Sequence, residues 1–539
     1  MKLNLPFESL FIIYRLKQAG FEAYVVGGAV RDLILKQEEV KDFDFTTSAN
    51  PQEIQKVFSK SFYENSFGTV SITHENLIKQ IIDRGFKLPK KNLYKRLLDK
   101  EKEFIKSDQA KKIINLKKAK KIHASLKNKA DSSKKILENK SEKAKLPPFE
   151  ITTFRSDGNY SDHRRPETVV WGKNIKDDLS RRDFTVNAMA IDINNSYLEK
   201  IFDKQKNIQE YYQPEVNDWQ LIDEYRGYQD LKNKLIRTVG QADQRFKEDA
   251  LRMLRAVRLA VQLNMKIEKE TYLSIKNNKD LLPFVSFERI GAEFMKILAS
   301  PHPADGIRLL DETGLLDYIV PELKLGKNMD QPGHHTTDVW IHSLDALEAC
   351  PSQDPVVRLA ALLHDVGKPE TYSEKNKEIT FYNHEVSGSR VASKIAKRLR
   401  LAKKDVQRVF ILVRYHMFYY QPEHTDASIR RFIKKVGLEN IDDILDLREG
   451  DRLGSGAKKT SWRLEEFKDR IIEQLNQPMD LSDLAVNGQD LIKNLKIKAS
   501  PIVGQILKQL LEKVLQNPEL NKKNLLIAEA KKFLAENKK

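Results

Sequence analysis

The chain has 539 residues, with 94 Lys+Arg against 77 Asp+Glu and a formal net charge of +17. Charged residues at 32% and hydrophobic ones at 40% describe a soluble protein of several domains, with ample core and a charge excess suited to a polyanionic partner. Cys350 is the single cysteine, which excludes intrachain disulfides and cysteine zinc sites and leaves no disulfide-linked partner to expect; no apolar run approaches the roughly 18 residues of a membrane span.

In chain order, Met1–Gly20 lacks the cationic head, long apolar core and cleavage site of a signal peptide, so a cytoplasmic location is expected. Instead Leu10, Ile13, Leu16 and Phe21 predict a short amphipathic helix running to Ala19. Residues 23–26 read as a strand, and Gly27-Gly28-Ala29-Val30-Arg31-Asp32 puts two glycines where that strand turns into a helix. Glycine there lets backbone N–H groups approach a polyphosphate, and Arg31 adds a charge-assisted clamp. Residues 42–46 read as the next strand. In Asp42-Phe43-Asp44-Phe45 the period of two places both carboxylates on one face and both rings on the other. Two carboxylates facing a phosphate site suit Mg²⁺-assisted phosphoryl or nucleotidyl transfer.

A helix over 51–59 and a strand over 68–72 follow, and the strand expected to pair next is 149–154. From about residue 78 to 148 the character changes. Lysines crowd 111–145 against Asp131, Glu138 and Glu142, with Leu and Ile at loose helical spacing, so this stretch reads as an inserted basic helical excursion. It is either a solvated addition or an RNA-contacting arm. After Asp192 the pattern is helical, with strand-like exceptions near 194–202 and 379–382.

The order and spacing of Gly27–Asp32 and Asp42–Asp44 resemble the active-site signature of the tRNA nucleotidyltransferase/poly(A) polymerase family, class II. Other segments carry the same resemblance. Glu150-Ile151-Thr152-Thr153-Phe154-Arg155 has the form of the strand that supplies the family's third carboxylate, here Glu150. Tyr160–Pro166 resembles the basic flexible loop of members that add CCA. Arg181-Arg182-Asp183-Phe184-Thr185-Val186-Asn187-Ala188-Met189 matches a family segment throughout; by resemblance Arg182 contacts the incoming nucleotide while Asp183 and Asn187 order the site.

The segment Arg245–Arg258 bears on substrate choice, with Asp249, Arg252, Arg255 and Arg258 expected to bind nucleotide. Asp249 and Arg252, read as three apart on one helix, would be neighbours on one face. A carboxylate accepting from an exocyclic amine beside a guanidinium donating to a ring acceptor fits cytosine and adenine. Guanine and uracil present a carbonyl there and are rejected. One departure from the family is about twenty extra residues, Lys204–Tyr225, before Gly227.

Further on, His342, His364-Asp365 and Asp451 resemble the ligands of the HD phosphohydrolase superfamily, with His384 and His416 as further candidates. Imidazoles and carboxylates converging from separate helices suit a divalent transition metal. Leu481–Ile492 resembles the family's tail, with Ser482 or Asp483 starting a helix and Gly488 breaking it.

The resemblance implies an α+β nucleotidyltransferase head with a small mixed sheet, followed by all-α domains. Their expected bounds are 1–195 for the head, 196–330 for a nucleotide-recognition and RNA-binding neck, 331–460 for the HD domain and 461–539 for a tRNA-binding tail. It implies addition of C, C and A to tRNA 3′ ends from CTP and ATP, with Asp42 and Asp44 holding catalytic Mg²⁺ beside Glu150, and no membrane partner. The same residues would serve a poly(A) polymerase or an enzyme adding only CC or only A. An HD phosphohydrolase whose N-terminal half binds RNA is the reading from a different class.

Overall fold

The computed structural model describes residues 3–36, 40, 42–63, 68–86, 148–157, 169–172, 174–202, 211–331, 337–375, 378–457, 461–475 and 477–536. The chain divides into two compact units, with the boundary after Pro321.

The first unit is built on a seven-stranded sheet. In chain order its strands are β1 (Ala23–Val26), β2 (Asp44–Thr47), β3 (Phe62–Tyr63), β4 (Thr69–Ile72), β5 (Phe149–Thr153), β6 (Ala190–Ile193) and β7 (Trp219–Ile222). Their spatial order is β7-β6-β1-β2-β5-β4-β3. The pair β2 and β5 is parallel and its neighbours are antiparallel, so the sheet is mixed, as expected. The central strands bury their apolar side: Phe43, Phe45, Ile151 and Phe149 are all buried, while Glu150 on the alternate side is exposed. The first helix, Phe7–Gln18, buries Leu10, Phe11, Ile12, Ile13 and Leu16.

The structure changes several expectations. The stretch 194–202 is a helix, Asn195–Phe202, whose buried residues Leu198 and Phe202 are four apart, a helical and not a strand period. Part of the extra stretch before Gly227 joins the sheet: Trp219–Ile222 pairs with Ile193–Ala190 and forms one edge. The helix His74–Asp83 crosses the predicted start of the basic insertion and buries Leu77 and Ile81; Phe86 packs on Phe11 and Phe202. Residues up to Phe86 thus pack with the head, while the rest of the predicted insertion and its proposed helices lie outside the described residues, as does the Tyr160–Pro166 loop. Gly488 starts a helix instead of breaking one, because Asn487 caps the Asp490 N–H and the Asp490 carboxylate returns a bond to the Asn487 N–H.

The remainder of the first unit, after Gly227, is mostly helical, including Leu251–Leu263 and Phe287–Leu298. Among its described residues the second unit is helical apart from a two-stranded hairpin, Ser373–Lys375 with Glu378–Thr380, where the strand-like stretch at 379–382 was expected. Helices Val339–Ala349 and Ile441–Gly454 pack closely: a Cβ on Gly450 would lie 2.7 Å from the Ala346 carbonyl oxygen. The C-terminal helices share a core of Leu491, Ile506, Leu510, Val514, Leu515 and Leu526. No helix among the described residues is long and apolar enough to cross a membrane.

Candidate active site

The catalytic carboxylates are positioned by strand register. Asp44 opens β2, opposite Val26 of β1 on one side and Glu150 of β5 on the other. Paired residues on neighbouring strands point to the same face, so Asp44 and Glu150 project together. Asp42 precedes the strand, and its charge bears on Asp44. Burial raises the Asp42 carboxyl above its ordinary range. Burial and the Asp42 charge push Asp44 up to about 6, against the pull of Arg182. Two carboxyls that resist ionisation side by side are a donor set that a hard divalent cation would relieve.

Gly27 sits beside both Asp44 and Arg182. Its backbone has φ +75°, open to glycine at little cost, and a Cβ there would lie 2.9 Å from Arg182 Nη1 and 3.4 Å from Asp44 Oδ2. Helix Gly28–Ile34 then carries Arg31 inward, where Nη1 donates to Asn187 Oδ1 at 2.7 Å and Nε to Asp32 Oδ1 at 2.8 Å. Arg182 Nη2 donates to Asp178 at 3.1 Å, and the buried Asp178 also holds Arg181. Asn187 Nδ2 donates to Asp183 Oδ1 at 3.3 Å, and Arg255 Nε to Asp183 Oδ2 at 2.7 Å. Burial would raise the Asp183 carboxyl, but Arg255 foremost holds it down at about 2. The chain Arg31–Asn187–Asp183–Arg255 thus ties helix Gly28–Ile34 to helix Leu251–Leu263.

Asp249 and Arg252 depart from expectation. Asp249 is not on the helix; it lies in extended conformation (φ −146°, ψ 102°) at a break between Ala242–Glu248 and Leu251–Leu263. Its carboxylate accepts from the Leu251 N–H at 3.1 Å and from Arg289 at 2.7 Å. Arg252 donates to Glu248 at 2.6 Å and to the Arg181 carbonyl at 3.1 Å. Arg258 pairs with the buried Glu293 at 3.0 Å. Sequence reasoning missed Asp178, Glu248, Arg289 and Glu293. The first two stand three or four residues from their arginines and were within reach of a spacing argument; Arg289 is 40 residues from its partner Asp249 and Glu293 is 35 from Arg258.

In the second unit His342, His364, Asp365, His384, His416 and Asp451 are all buried and fall into two triads, His342/His364/Asp451 and Asp365/His384/His416. His342 Nε2 lies 3.2 Å from Asp451 Oδ1, and His364 Nε2 3.2 Å from Asp365 Oδ2. His384 Nε2 lies 3.4 Å from Asp365 Oδ1. The His364-Asp365 turn reaches the His384 helix because Gly367 presses on it: a Cβ there would lie 2.2 Å from the His384 carbonyl oxygen. Burial works against a charged His364, but Asp365 and then Asp451 push it up to about 10; burial lowers His416. Asp365 and Asp451 are held well below the usual carboxylate range, against burial, by His364 with Lys368 and by the His342–His364 pair. The pocket therefore favours positive charge, and its donors are those of a borderline transition metal.

Comparison with known proteins agrees with the first unit's geometry. A model described as the poly A polymerase head domain matches residues 23–106 and 95–237. A probable RNA and SrmB-binding site of polymerase A matches 264–325, and a putative tRNA nucleotidyltransferase domain 2 matches 376–530. The CCA-adding enzyme of Ligilactobacillus salivarius is 27% identical over 538 residues, 99% of this chain and 98% of that one. The A-adding tRNA nucleotidyltransferase of Deinococcus radiodurans is 32% identical over 355 residues, 63% of this chain and 75% of that one. The crystal structure of the Bacillus stearothermophilus CCA-adding enzyme in complex with CTP superposes with a TM-score of 0.63 at 25% identity, covering 98% of both chains. With a head-domain match over the sheet and a relative 32% identical across 75% of its own length, the chain belongs to the tRNA nucleotidyltransferase/poly(A) polymerase family.

Proposed function

We propose that the chain adds C, C and A to tRNA 3′ ends without a template, taking CTP and ATP as substrates. The observation that carries this reading is the register that sets Asp44 beside Glu150, with Asp42, Gly27 and Arg182 around it. The tRNA 3′-hydroxyl attacks the α-phosphorus and pyrophosphate leaves. Mg²⁺ held by Asp42 and Asp44 would stabilise charge on the attacking and leaving oxygens. Glu150 would assist at the attacking hydroxyl. The Gly27–Gly28 turn, Arg31 and Arg182 supply N–H groups and positive charge for the triphosphate.

Base selection is assigned to Asp249 and Arg252, with Arg289 and Glu248 fixing their orientations, and Arg255 and Arg258 completing the nucleotide pocket from the same helix. A carboxylate and a guanidinium both held by neighbours before substrate arrives are preorganised acceptor and donor groups. Residues 264–325 and the helical tail would meet the tRNA body. The full-length likeness to a CCA-adding enzyme supports complete addition; the likeness to an A-adding enzyme favours partial addition as the second reading. Asp42→Ala or Asp44→Ala should abolish nucleotide addition while tRNA binding stays near wild type. More than a few per cent of activity in either variant would overturn the carboxylate assignment.

The buried histidine and aspartate cluster of the second unit supports a further reading, an HD centre that holds a divalent transition metal and hydrolyses phosphate esters. His364→Ala with Asp365→Ala should remove metal-dependent hydrolysis of small phosphate esters and leave addition unchanged, because the two sites share no ligand.

A further inference from the structure

The short helix Ile175–Ser180 is anchored in the head and bonded at its C-terminal end to both halves of the nucleotide site. Its buried Ile175 and Leu179 pack with Tyr24 and Val26 of β1, with Phe154 and with Ala190 of β6. Its start is capped by the Asn174 side chain, which accepts from the Asp177 N–H at 3.1 Å. Asp178 on this helix is fully buried, and each of its oxygens takes a different arginine. Oδ1 accepts from Arg181 Nη2 at 2.6 Å and Nε at 3.1 Å, and Oδ2 from Arg182 Nη2 at 3.1 Å. Burial works against a charged Asp178, but Arg181 and then Arg182 hold its carboxyl below the usual range.

The two arginines lead in different directions. Arg182, clamped through Nη2, keeps Nη1 beside Gly27, and its buried Nε–H has no partner among the described residues. Those donors remain for the triphosphate. Arg181 closes the helix and folds back on Asp178, and its carbonyl accepts from Arg252 Nη2 at 3.1 Å. The Ser180 carbonyl accepts from Arg245 Nη1 at 3.3 Å, and Arg245 and Arg252 share Glu248. One buried carboxylate therefore stands between the arginine at the glycine turn and the arginine assigned to the base.

We propose that Asp178 is a positioning residue that couples base recognition to triphosphate placement, one oxygen holding Arg182 at the glycine turn and the other holding Arg181, whose carbonyl seats Arg252. This rests on reading Arg182 as a triphosphate contact and Arg252 as a base contact, and adds the link between them. A base that displaces Arg252 disturbs Arg182 through the same carboxylate, so a mismatch is felt at the phosphates as well as at the base. The arrangement requires a carboxylate. An asparagine keeps the volume but loses the charge that strengthens both pairs, and its NH₂ meets one guanidinium donor to donor.

The test compares Asp178→Asn with wild type, both full length, in two separate measurements. Binding of inorganic triphosphate with Mg²⁺ reads the Arg182 side without a base. The ratio of kcat/KM for CTP to that for UTP, in single addition to tRNA ending at the discriminator base, reads the Arg252 side. Triphosphate Kd should rise and the CTP preference should narrow, each by about tenfold, with KM for tRNA near wild type. Arg181→Met, at the half-buried partner, leaves Asp178 with Arg182 alone and keeps the test open should Asp178→Asn fail to fold. It should narrow the CTP preference while triphosphate Kd stays within about twofold of wild type. A lower melting temperature in Asp178→Asn with both measurements unchanged, or an unchanged CTP preference in Arg181→Met, would overturn the proposal and leave Asp178 a structural ion-pair partner. A shift on one side only in Asp178→Asn would overturn the coupling. A wild-type chain that uses no CTP would overturn the nucleotidyl-transfer reading beneath it.

Discussion

Asp44 is the residue on which the chemistry of the head turns, and its environment makes a pH-dependent prediction. Burial and Asp42 push its carboxyl up to about 6, so below that pH the group is protonated in the metal-free fold. A metal ligand must be deprotonated, so metal binding releases this proton. Affinity of the head for Mn²⁺ should therefore fall roughly tenfold per unit as pH drops below about 6, and level off above it. Folding stability responds with the opposite sign. The folded value lies above the ordinary one, so the metal-free fold loses this group's contribution as pH rises toward about 6, and Asp44→Asn removes that loss. Calorimetric titration in buffers of different ionisation enthalpy checks the proton release; an affinity flat between pH 5 and 7 would contradict the placement of Asp44. At the base-selecting residues, Asp249→Ala or Arg252→Ala should relax or lower use of CTP and ATP without affecting head metal binding. Full retention of selectivity against GTP and UTP in both variants would make Arg289 and Glu248 partners in ordinary structural ion pairs.

Among the elements, much of the head could be read locally. The strands at Asp44–Thr47 and Phe149–Thr153 and the glycines after 23–26 each need a handful of adjacent residues and no distant partner, although the strand predicted from residue 42 begins only at Asp44. What could not be read depends on long-range packing. Asn195–Phe202 looks strand-like until Leu198 and Phe202 are seen to face one core. Asp249 falls at a helix break whose carboxylate is held by Arg289, 40 residues on. The convergence of the histidines needs Gly367 and Gly450, whose steric role appears only once helices are in contact. Gly367→Ala would put a Cβ 2.2 Å from the His384 carbonyl oxygen. Such overpacking costs about 1–3 kcal/mol and parts the two halves of the cluster. It should lower retained metal and the melting temperature, with nucleotide addition near wild type. Normal metal content would mean the cluster does not depend on that close approach.

For the molecule as a whole, the +17 charge and the lysine-rich insertion raise the question of how tRNA is held. Replacing residues 88–146 by a short Gly/Ser linker spares the buried Ile81 and the half-buried Phe86, which packs on Phe11 and Phe202. If the insertion touches tRNA, KM for tRNA rises and its salt dependence flattens, by about 0.9 in log K per decade of salt for each phosphate that the insertion neutralises. The kcat at saturating tRNA should hold, since Asp42, Asp44 and Glu150 lie outside the deletion. An unchanged KM and salt slope would make the insertion a solvated addition. The measurement that bears most directly on the central claim is incorporation of each nucleotide, supplied singly, into tRNA transcripts ending at the discriminator base, at C and at CC. Complete CCA addition predicts CTP incorporation on the first two ends, ATP on the third, and neither GTP nor UTP on any. Repeated A addition irrespective of the end, or A addition on the CC end with no use of CTP anywhere, would contradict it.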